Sequence, residues 1–174
     1  MTQEPRLFFA IWPNQDERDN LAHLQNIARP YINGTFLNFK TFHLTLIFLG
    51  KTPLALVPGL SKAAASIKPP SFELRFNSSQ IWPQHNLFHT VPQPPCEELN
   101  QFQMELHHAL SNAGIHIEHR IFFPHVSLIR NASGSPPKIS FHFSWKVSSF
   151  ILAESLPSQT GPHYNILEEF PAVQ

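Results

Sequence analysis

Hydrophobic positions follow two different periods along the chain, which predicts a mixture of strands and helices. Residues 6–12, RLFFAIW, are typical of a buried strand. Asn14 followed by Glu17 resembles a capping box, in which each residue pairs with the other's backbone N–H at the start of a helix. The helix predicted there ends before Pro30. Its apolar residues recur at helical spacing and are Leu21, Leu24 and Ile27.

The rest of the chain alternates strands with two more helices. Helices are predicted at 53–68, with Pro58 limiting the regular part to residues from Gly59 onward, and from Cys96 to a cap at Gly114. Strands are predicted at 35–39, 43–50, 72–76, 80–82 and 87–91, then from residue 125 onward and at 139–143, 145–154 and 163–170. A helix precedes each of two similar strands, which indicates a diverged internal duplication within one domain, residues 1–174.

Each of these two similar strands begins with a histidine and a hydroxyl residue two positions apart. The pairs are His43 with Thr45 and, 82 residues later, His125 with Ser127. Side chains alternate between the faces of a strand, so each pair shares a face. Two such strands facing each other would place two imidazoles and two hydroxyls around one small volume. The same alternation puts Arg130 opposite His125, so Arg130 reaches that volume only if the strand ends or twists there.

Charge is scarce but unevenly distributed. Only 14% of residues are charged and the net charge is zero, which argues against a broad basic face for long nucleic acids. No Asp or Glu lies between Asn20 and Phe72 or between His119 and Ala153, and each stretch contains one pair. This local positive bias suits a small anionic group. The single cysteine, Cys96, excludes an intrachain disulfide, and we expect a cytoplasmic protein with no signal peptide or membrane span.

Two histidines and two hydroxyls suit in-line cleavage of a phosphodiester. One imidazole can deprotonate the attacking oxygen while the other protonates the leaving oxygen, and hydroxyls can donate to the non-bridging oxygens. This chemistry requires no metal or other cofactor. The chain has eleven histidines, so a metal site is an alternative. However, the adjacent His107 and His108 diverge on a helix, and His116 and His119 lack an evident third ligand.

His43-Leu44-Thr45-Leu46 and His125-Val126-Ser127-Leu128 resemble the paired HxTx motifs of the two-histidine (2H) phosphoesterases. RLFFAIW, the motif separation, Arg130 and the chain length resemble the RNA 2',3'-cyclic phosphodiesterase branch of that superfamily, also called 2'-5' RNA ligases. The resemblance implies a bilobal α+β fold in which two pseudosymmetric antiparallel sheets line a cleft, with helices outside. It implies hydrolysis of RNA 2',3'-cyclic phosphate to a 2'-phosphate, with ligation as the reverse direction.

The resemblance also implies a role for each motif residue. His43 would be the acid for the leaving 3'-oxygen and His125 the base that activates water, while Thr45, Ser127 and Arg130 would bind the phosphate. Serine in place of threonine at 127 keeps the hydroxyl. We expect a monomer that acts on RNA ends or small oligonucleotides, with no membrane or obligatory protein partner.

Other functions remain open at this stage. They are a two-histidine enzyme for small cyclic nucleotides or 2'-5' linked oligonucleotides, an RNA-end-binding protein without turnover, and a metal-dependent hydrolase. Three aromatic residues are candidates for stacking on a base, although core packing is the commoner role for such side chains; they are Trp82, Phe88 and Tyr164.

Overall fold

The computed structural model describes residues 5–118, 120–138, 140–156 and 161–171. These residues form an α+β fold in which a curled, half-barrel antiparallel sheet is flanked by helices. The strands are β1 (Arg6–Ile11), β2 (Ile32–Phe36), β3 (Leu44–Lys51), β4 (Phe72–Trp82), β5 (Leu87–Pro92), β6 (Val126–Gly134), β7 (Phe143–Val147), β8 (Ser149–Leu156) and β9 (His163–Pro171). The α-helices are α1 (Gln15–Ala28), α2 (Val57–Ala64) and α3 (Glu97–Asn112).

The sheet has two halves that meet at the two motif strands. The strand order is β7-β4-β5-β6-β3-β1-β8-β9, and β2 also pairs with β6. At the junction, β3 and β6 share a single pair of facing residues, Leu44 and Val126. The predicted α+β class with antiparallel strands and external helices is therefore confirmed, and the two predicted sheets are joined along one narrow seam.

The faces of β1 show how the sheet separates core from cleft. Leu7, Phe9 and Ile11 are fully buried in the main core. The alternate residues, Phe8 and Ala10, belong to a smaller cluster on the other face. The main core therefore lies between the sheet and the helices, and the opposite face remains available for a site.

The capping box predicted at the start of α1 is present and extends to the sheet. The Glu17 backbone N–H donates to the Asn14 side chain, and the Glu17 carboxylate accepts from the Asn14 backbone N–H. The second carboxylate oxygen of Glu17 accepts from the Lys146 backbone N–H in β7, at 2.9 Å. Burial raises the pKa of Glu17, although both backbone hydrogen bonds oppose that effect. One carboxylate thus fixes α1 against β7.

Several predicted boundaries were wrong. Helix α2 begins at Val57 rather than at Gly59, because Pro58 lies in the first turn, where a backbone N–H has no partner to lose. The two strands predicted at 72–76 and 80–82 are one strand, β4. The strand predicted at 145–154 is two, separated at Ser148, and the strand predicted at 139–143 contributes only Phe143 to β7. Residue 139 lies outside the described residues.

Each of the two long helices packs against the motif strand of the other half of the chain. Helix α1 contacts β6 and β7, whereas α3, from the second half of the chain, contacts β3. The predicted cap of α3 is present, with Gly114 at a φ of +79° just beyond its end. No helix within the described residues is long and apolar enough to cross a membrane.

Candidate active site

The two motif strands share a six-residue pattern of burial. Reading from His43 to Phe48, the side chains are half-buried, buried, half-buried, buried, buried and exposed, and the same order holds from His125 to Arg130. The repeat is therefore longer than the histidine and hydroxyl pair on which it was recognised.

A β-bulge in β6 accounts for the two adjacent buried residues. His89 of β5 pairs with Ser127, and the preceding residue, Phe88, pairs with Ile129. Leu128 is left without a partner in this ladder. An extra residue of this kind shifts the alternation by one, so that residues on either side of it change face.

Because of the bulge, Arg130 lies on the cleft side with Ser127, and strict alternation gave the wrong face for it. Strand β3 has the same irregularity, with Leu46 unpaired against β1. There the exposed residue that turns to the cleft is Phe48. The two halves thus present a guanidinium and a phenyl ring at equivalent positions.

A glutamine from the facing helix satisfies each bulge carbonyl. The Leu128 carbonyl oxygen accepts from the Gln25 side chain of α1 at 2.7 Å and from the Leu37 backbone N–H at 3.1 Å. The Leu46 carbonyl oxygen accepts from the Gln103 side chain of α3 at 3.4 Å. Buried carbonyls need such partners, so the crossed helices hold the bulges in place.

One cleft of about 360 Å³ brings together all five residues singled out in the sequence. None of the other described residues that line it is Asp or Glu, and its lining includes Arg6 as a second cation. The described lining is therefore acid-free and locally positive, which suits an anion. The five residues are His43, Thr45, His125, Ser127 and Arg130.

Both motif histidines are anchored through the same ring atom. His43 Nδ1 lies 2.8 Å from the Thr41 carbonyl oxygen, and His125 Nδ1 lies 2.8 Å from the Phe123 carbonyl oxygen. A carbonyl can only accept, so each Nδ1 carries the proton and donates. Each Nε2 is left as the titrating atom, able to accept a proton when the ring is neutral and to donate one when it is charged.

His43 is enclosed by aromatic side chains. Its ring centroid lies 5.1 Å from that of Phe8, 5.2 Å from that of Trp12, which is stacked on it, and 5.0 Å from that of Tyr164. Burial lowers the pKa of His43 to about 4, with smaller lowering contributions from the charges of Arg130 and His125, while the hydrogen bond to Thr41 opposes them. This imidazole is therefore neutral at pH 7.

His125 lies in a similar aromatic cluster on the other side. Its ring centroid is 6.1 Å from that of Trp82 and 5.6 Å from those of Phe123 and His89. Burial lowers the pKa of His125, and the charge of His85 lowers it further, while the hydrogen bond to Phe123 opposes both.

Sequence reasoning missed His89. This side chain is fully buried, its Nδ1 lies 3.2 Å from the Leu87 carbonyl oxygen, and its Nε2 has no hydrogen-bond partner among the described residues. Burial lowers the pKa of His89, and the charge of His125 adds to that lowering. A histidine inside the apolar run LFHTV was the available signal, but it was one of eleven.

The metal alternative finds no support in the part of the chain that the structure describes. No three His, Cys, Asp or Glu side chains there are grouped closely enough to hold an ion. His107 and His108 do stand apart, with ring centroids 6.3 Å from each other, whereas His119 lies outside the described residues. Metal-independent chemistry stays a prediction.

Comparison with known proteins agrees with this geometry. Residues 11–88 match the model of the family described as LigT-like phosphoesterases. The chain is 28% identical to an RNA 2',3'-cyclic phosphodiesterase of Escherichia coli, covering all of both chains. It is 27% identical to the Thermus thermophilus protein of the same name, covering 95% of this chain and 89% of that one.

Solved structures give the same answer for the fold. Escherichia coli LigT complexed with 3'-AMP superimposes with a TM-score of 0.82 at 28% identity, covering 98% of this chain and all of that one. The same protein in its apo form gives a TM-score of 0.83 at 26% identity, covering 99% of this chain and all of that one.

Proposed function

We propose that this chain is a LigT-like phosphoesterase, an RNA 2',3'-cyclic 3'-phosphodiesterase that opens the cyclic phosphate to a 2'-phosphate. The observation that carries the proposal is the pair of imidazoles, each anchored through Nδ1, that face one acid-free cleft.

The proposed reaction is an in-line displacement at phosphorus. A water donates its proton to Nε2 of His125 as its oxygen attacks phosphorus. The bond from phosphorus to the 3'-oxygen breaks on the opposite side, and that oxygen takes the proton from Nε2 of His43. The hydroxyls of Thr45 and Ser127 donate hydrogen bonds to the non-bridging oxygens, where negative charge develops.

Substrate binding supplies the protonation state that the reaction needs. Before substrate binds, the pKa of His43, about 4, leaves little of the acid form at neutral pH. An anionic phosphate beside the ring favours the imidazolium, because a nearby opposite charge stabilises the charged form. Arg130 stabilises the phosphate in return. The lowered pKa of His125 keeps that ring neutral, as a base on the side of the attacking water must be.

The names of the relatives support RNA ends as the substrate class. Both curated relatives are called RNA 2',3'-cyclic phosphodiesterases, and Escherichia coli LigT has been crystallised with 3'-AMP, ATP and NADP+. We extend nucleotide binding to this chain, together with 2'-5' ligation as the reverse of cleavage. In this proposal the chain acts as a single domain and a monomer in the cytoplasm, where its one cysteine stays a thiol.

The decisive experiment uses an oligoribonucleotide that ends in a 2',3'-cyclic phosphate. We expect a product with a 2'-phosphate only, and an unchanged rate after treatment with EDTA, since two imidazoles supply both acid and base. A 3'-phosphate product would reverse the roles of the two histidines. Binding without turnover would instead identify an RNA-end-binding protein, and loss of activity restored by Zn²⁺ or Mn²⁺ would identify a metal-dependent hydrolase.

A further inference from the structure

A second concave surface adjoins the cleft beside His125, and we call it the aromatic groove. Its volume is about 210 Å³, and it shares Thr45, Phe48 and His125 with the cleft, so the two are continuous. The groove is also lined by Trp82, Arg120, Ile121 and Phe123.

Large apolar side chains are exposed around this groove. Phe48 is 39% exposed, Phe123 is 41% exposed and Ile121 is 95% exposed. The ring centroids of Trp82 and Phe123 lie 5.0 Å apart at 59°, so the two rings form adjoining, inclined walls. Exposed apolar surface at the mouth of a cleft marks a binding site more often than a packing defect.

The polar rim of the groove favours a nucleoside over a purely apolar ligand. The Arg120 guanidinium lies 5.9 Å from the Phe48 ring centroid and also forms an ion pair with Glu118. Gln103 and His107 from α3 line the same surface. Aromatic walls with nearby hydrogen-bonding groups are how proteins hold unstacked bases, because every base has a π-face.

The stereochemistry of the proposed reaction decides which nucleoside the groove can hold. In an in-line displacement the entering and leaving oxygens lie on opposite sides of phosphorus. The ribose that carries the cyclic phosphate is attached to the leaving 3'-oxygen and lies on the His43 side. The groove opens at His125, on the side of the entering oxygen.

We propose that the aromatic groove binds the base of a second nucleoside, the one whose 5'-oxygen occupies the place of the attacking water. This inference rests on the proposed function. In the forward step that 5'-hydroxyl loses its proton to His125, its oxygen bonds to phosphorus, and the 3'-oxygen leaves with the proton of His43. In reverse, His43 deprotonates the 3'-hydroxyl, which displaces the 5'-oxygen, and His125 protonates it.

The test compares two substrates that differ only in the second nucleoside. These are adenosine 2',3'-cyclic phosphate, which needs the cleft alone, and a 2'-5'-linked diadenosine phosphate, which also needs the groove. In Trp82→Leu and Phe48→Leu we expect kcat/KM for the dinucleotide to fall about ten-fold or more beyond any fall for the cyclic nucleotide, since a stacked base is lost. Tyr31→Leu, an exposed aromatic outside the groove, is the matched control.

A binding measurement separates this inference from the proposed function. Adenosine alone, followed by NMR, should shift the indole N–H signal of Trp82, and Trp82→Leu should abolish that binding. Equal losses on both substrates, or no loss on either, would overturn the inference. So would shifts confined to Trp12 and Tyr164 on the His43 side. If the wild-type enzyme opens the cyclic nucleotide but never cleaves the dinucleotide, the assignment of the groove to a second nucleoside is refuted and the proposed function is not. Failure on both substrates would refute the proposed function.

Discussion

His89 lies directly across the β5–β6 ladder from Ser127, at the position that Ala10 occupies opposite Thr45. In one pair the large His89 faces Ser127, the smaller hydroxyl residue. In the equivalent pair the small Ala10 faces Thr45, the larger one. Directly paired side chains on one face are in contact range. Ser127, which stands where the HxTx pattern has threonine, is therefore the hydroxyl residue that pairs with the bulkier side chain.

His89→Leu should leave the free energy of unfolding at pH 7.5 unchanged or raise it by up to about 1 kcal/mol, because leucine fills a buried site without an unsatisfied nitrogen. The depressed pKa of His89 makes wild-type stability fall as pH drops below the unfolded value near 6.5, since only the unfolded chain then takes up the proton. The variant should lose less stability between pH 7.5 and 5, as measured by urea unfolding.

The exposed His23 of α1 gives the matched control for that experiment. His23→Leu makes the same exchange at an exposed position and shows what the substitution itself does to urea unfolding. A His89→Leu protein that is several kcal/mol less stable at pH 7.5 would show that Nε2 has a partner that stabilises the fold.

Removing either motif histidine should abolish catalysis without unfolding the protein. His43→Gln and His125→Gln should each lower kcat by about 10²- to 10⁴-fold, the range for loss of a general acid or base. Both rings line the cleft and lie outside the main hydrophobic core, so thermal melting should change little. His23→Gln serves as control, and global unfolding of both variants would indicate that the two histidines are structural.

A substrate whose leaving group needs no proton distinguishes the two roles. A 3' leaving group of low pKa should partly restore the rate of His43→Gln, because the acid is no longer needed, and should not restore that of His125→Gln. The comparison requires measurable residual rates in both variants. Equal rescue of the two would contradict the assignment of acid and base.

The pH profile of kcat/KM should peak on the acidic side of the ordinary histidine value. In the proposed mechanism the productive free enzyme has His43 charged and His125 neutral, and burial lowers the pKa of both, that of His43 to about 4. The rate constant should therefore fall as pH rises through neutrality. The profile of kcat, which reports the complex, should extend to higher pH because bound phosphate raises the pKa of His43. A flat kcat/KM from about pH 5 to 9 would rule out His43 and His125 as the acid and base.

Arg130→Gln should raise KM at least about ten-fold and lower kcat less, since in the proposed mechanism the guanidinium contacts the phosphate before and during the reaction. Arg130→Lys should recover part of the loss, because it keeps the charge but not the fork of donors. Arg75→Gln, an exposed arginine paired with Glu73, is the control. An unchanged KM and kcat in Arg130→Gln would show that this side chain does not bind the phosphate.

Sequence patterns predicted the fold class, the capping box of α1 and the cap of α3, because each depends on residues close together in the chain. They failed at Arg130, because a bulge adds one residue and reverses a period of two. The two adjacent apolar residues before Arg130 are compatible with plain alternation broken by chance. Only the long-range pairing with β5 shows that these two residues form a bulge.

The same limit explains the missed boundaries in β4 and the missed His89. Asn77 and Ser78 are typical turn residues, yet the strand continues through them because Ser78 pairs with Val91 of β5 and Asn77 is the extra residue of a bulge in that ladder. The importance of His89 depends on which residue lies across the ladder from it, and a single sequence does not contain that information.

The crossed helices have a consequence for how the chain folds. Gln25 of the first half supports the bulge in β6, and Gln103 of the second half supports the bulge in β3. A chain cut between α2 and β4 would give two fragments, each with its own motif strand but with the helix that covers it on the other fragment. We therefore expect neither fragment to fold alone and the two to become ordered only when mixed. In the intact chain, contacts this distant in sequence must form together, which favours slow and cooperative folding.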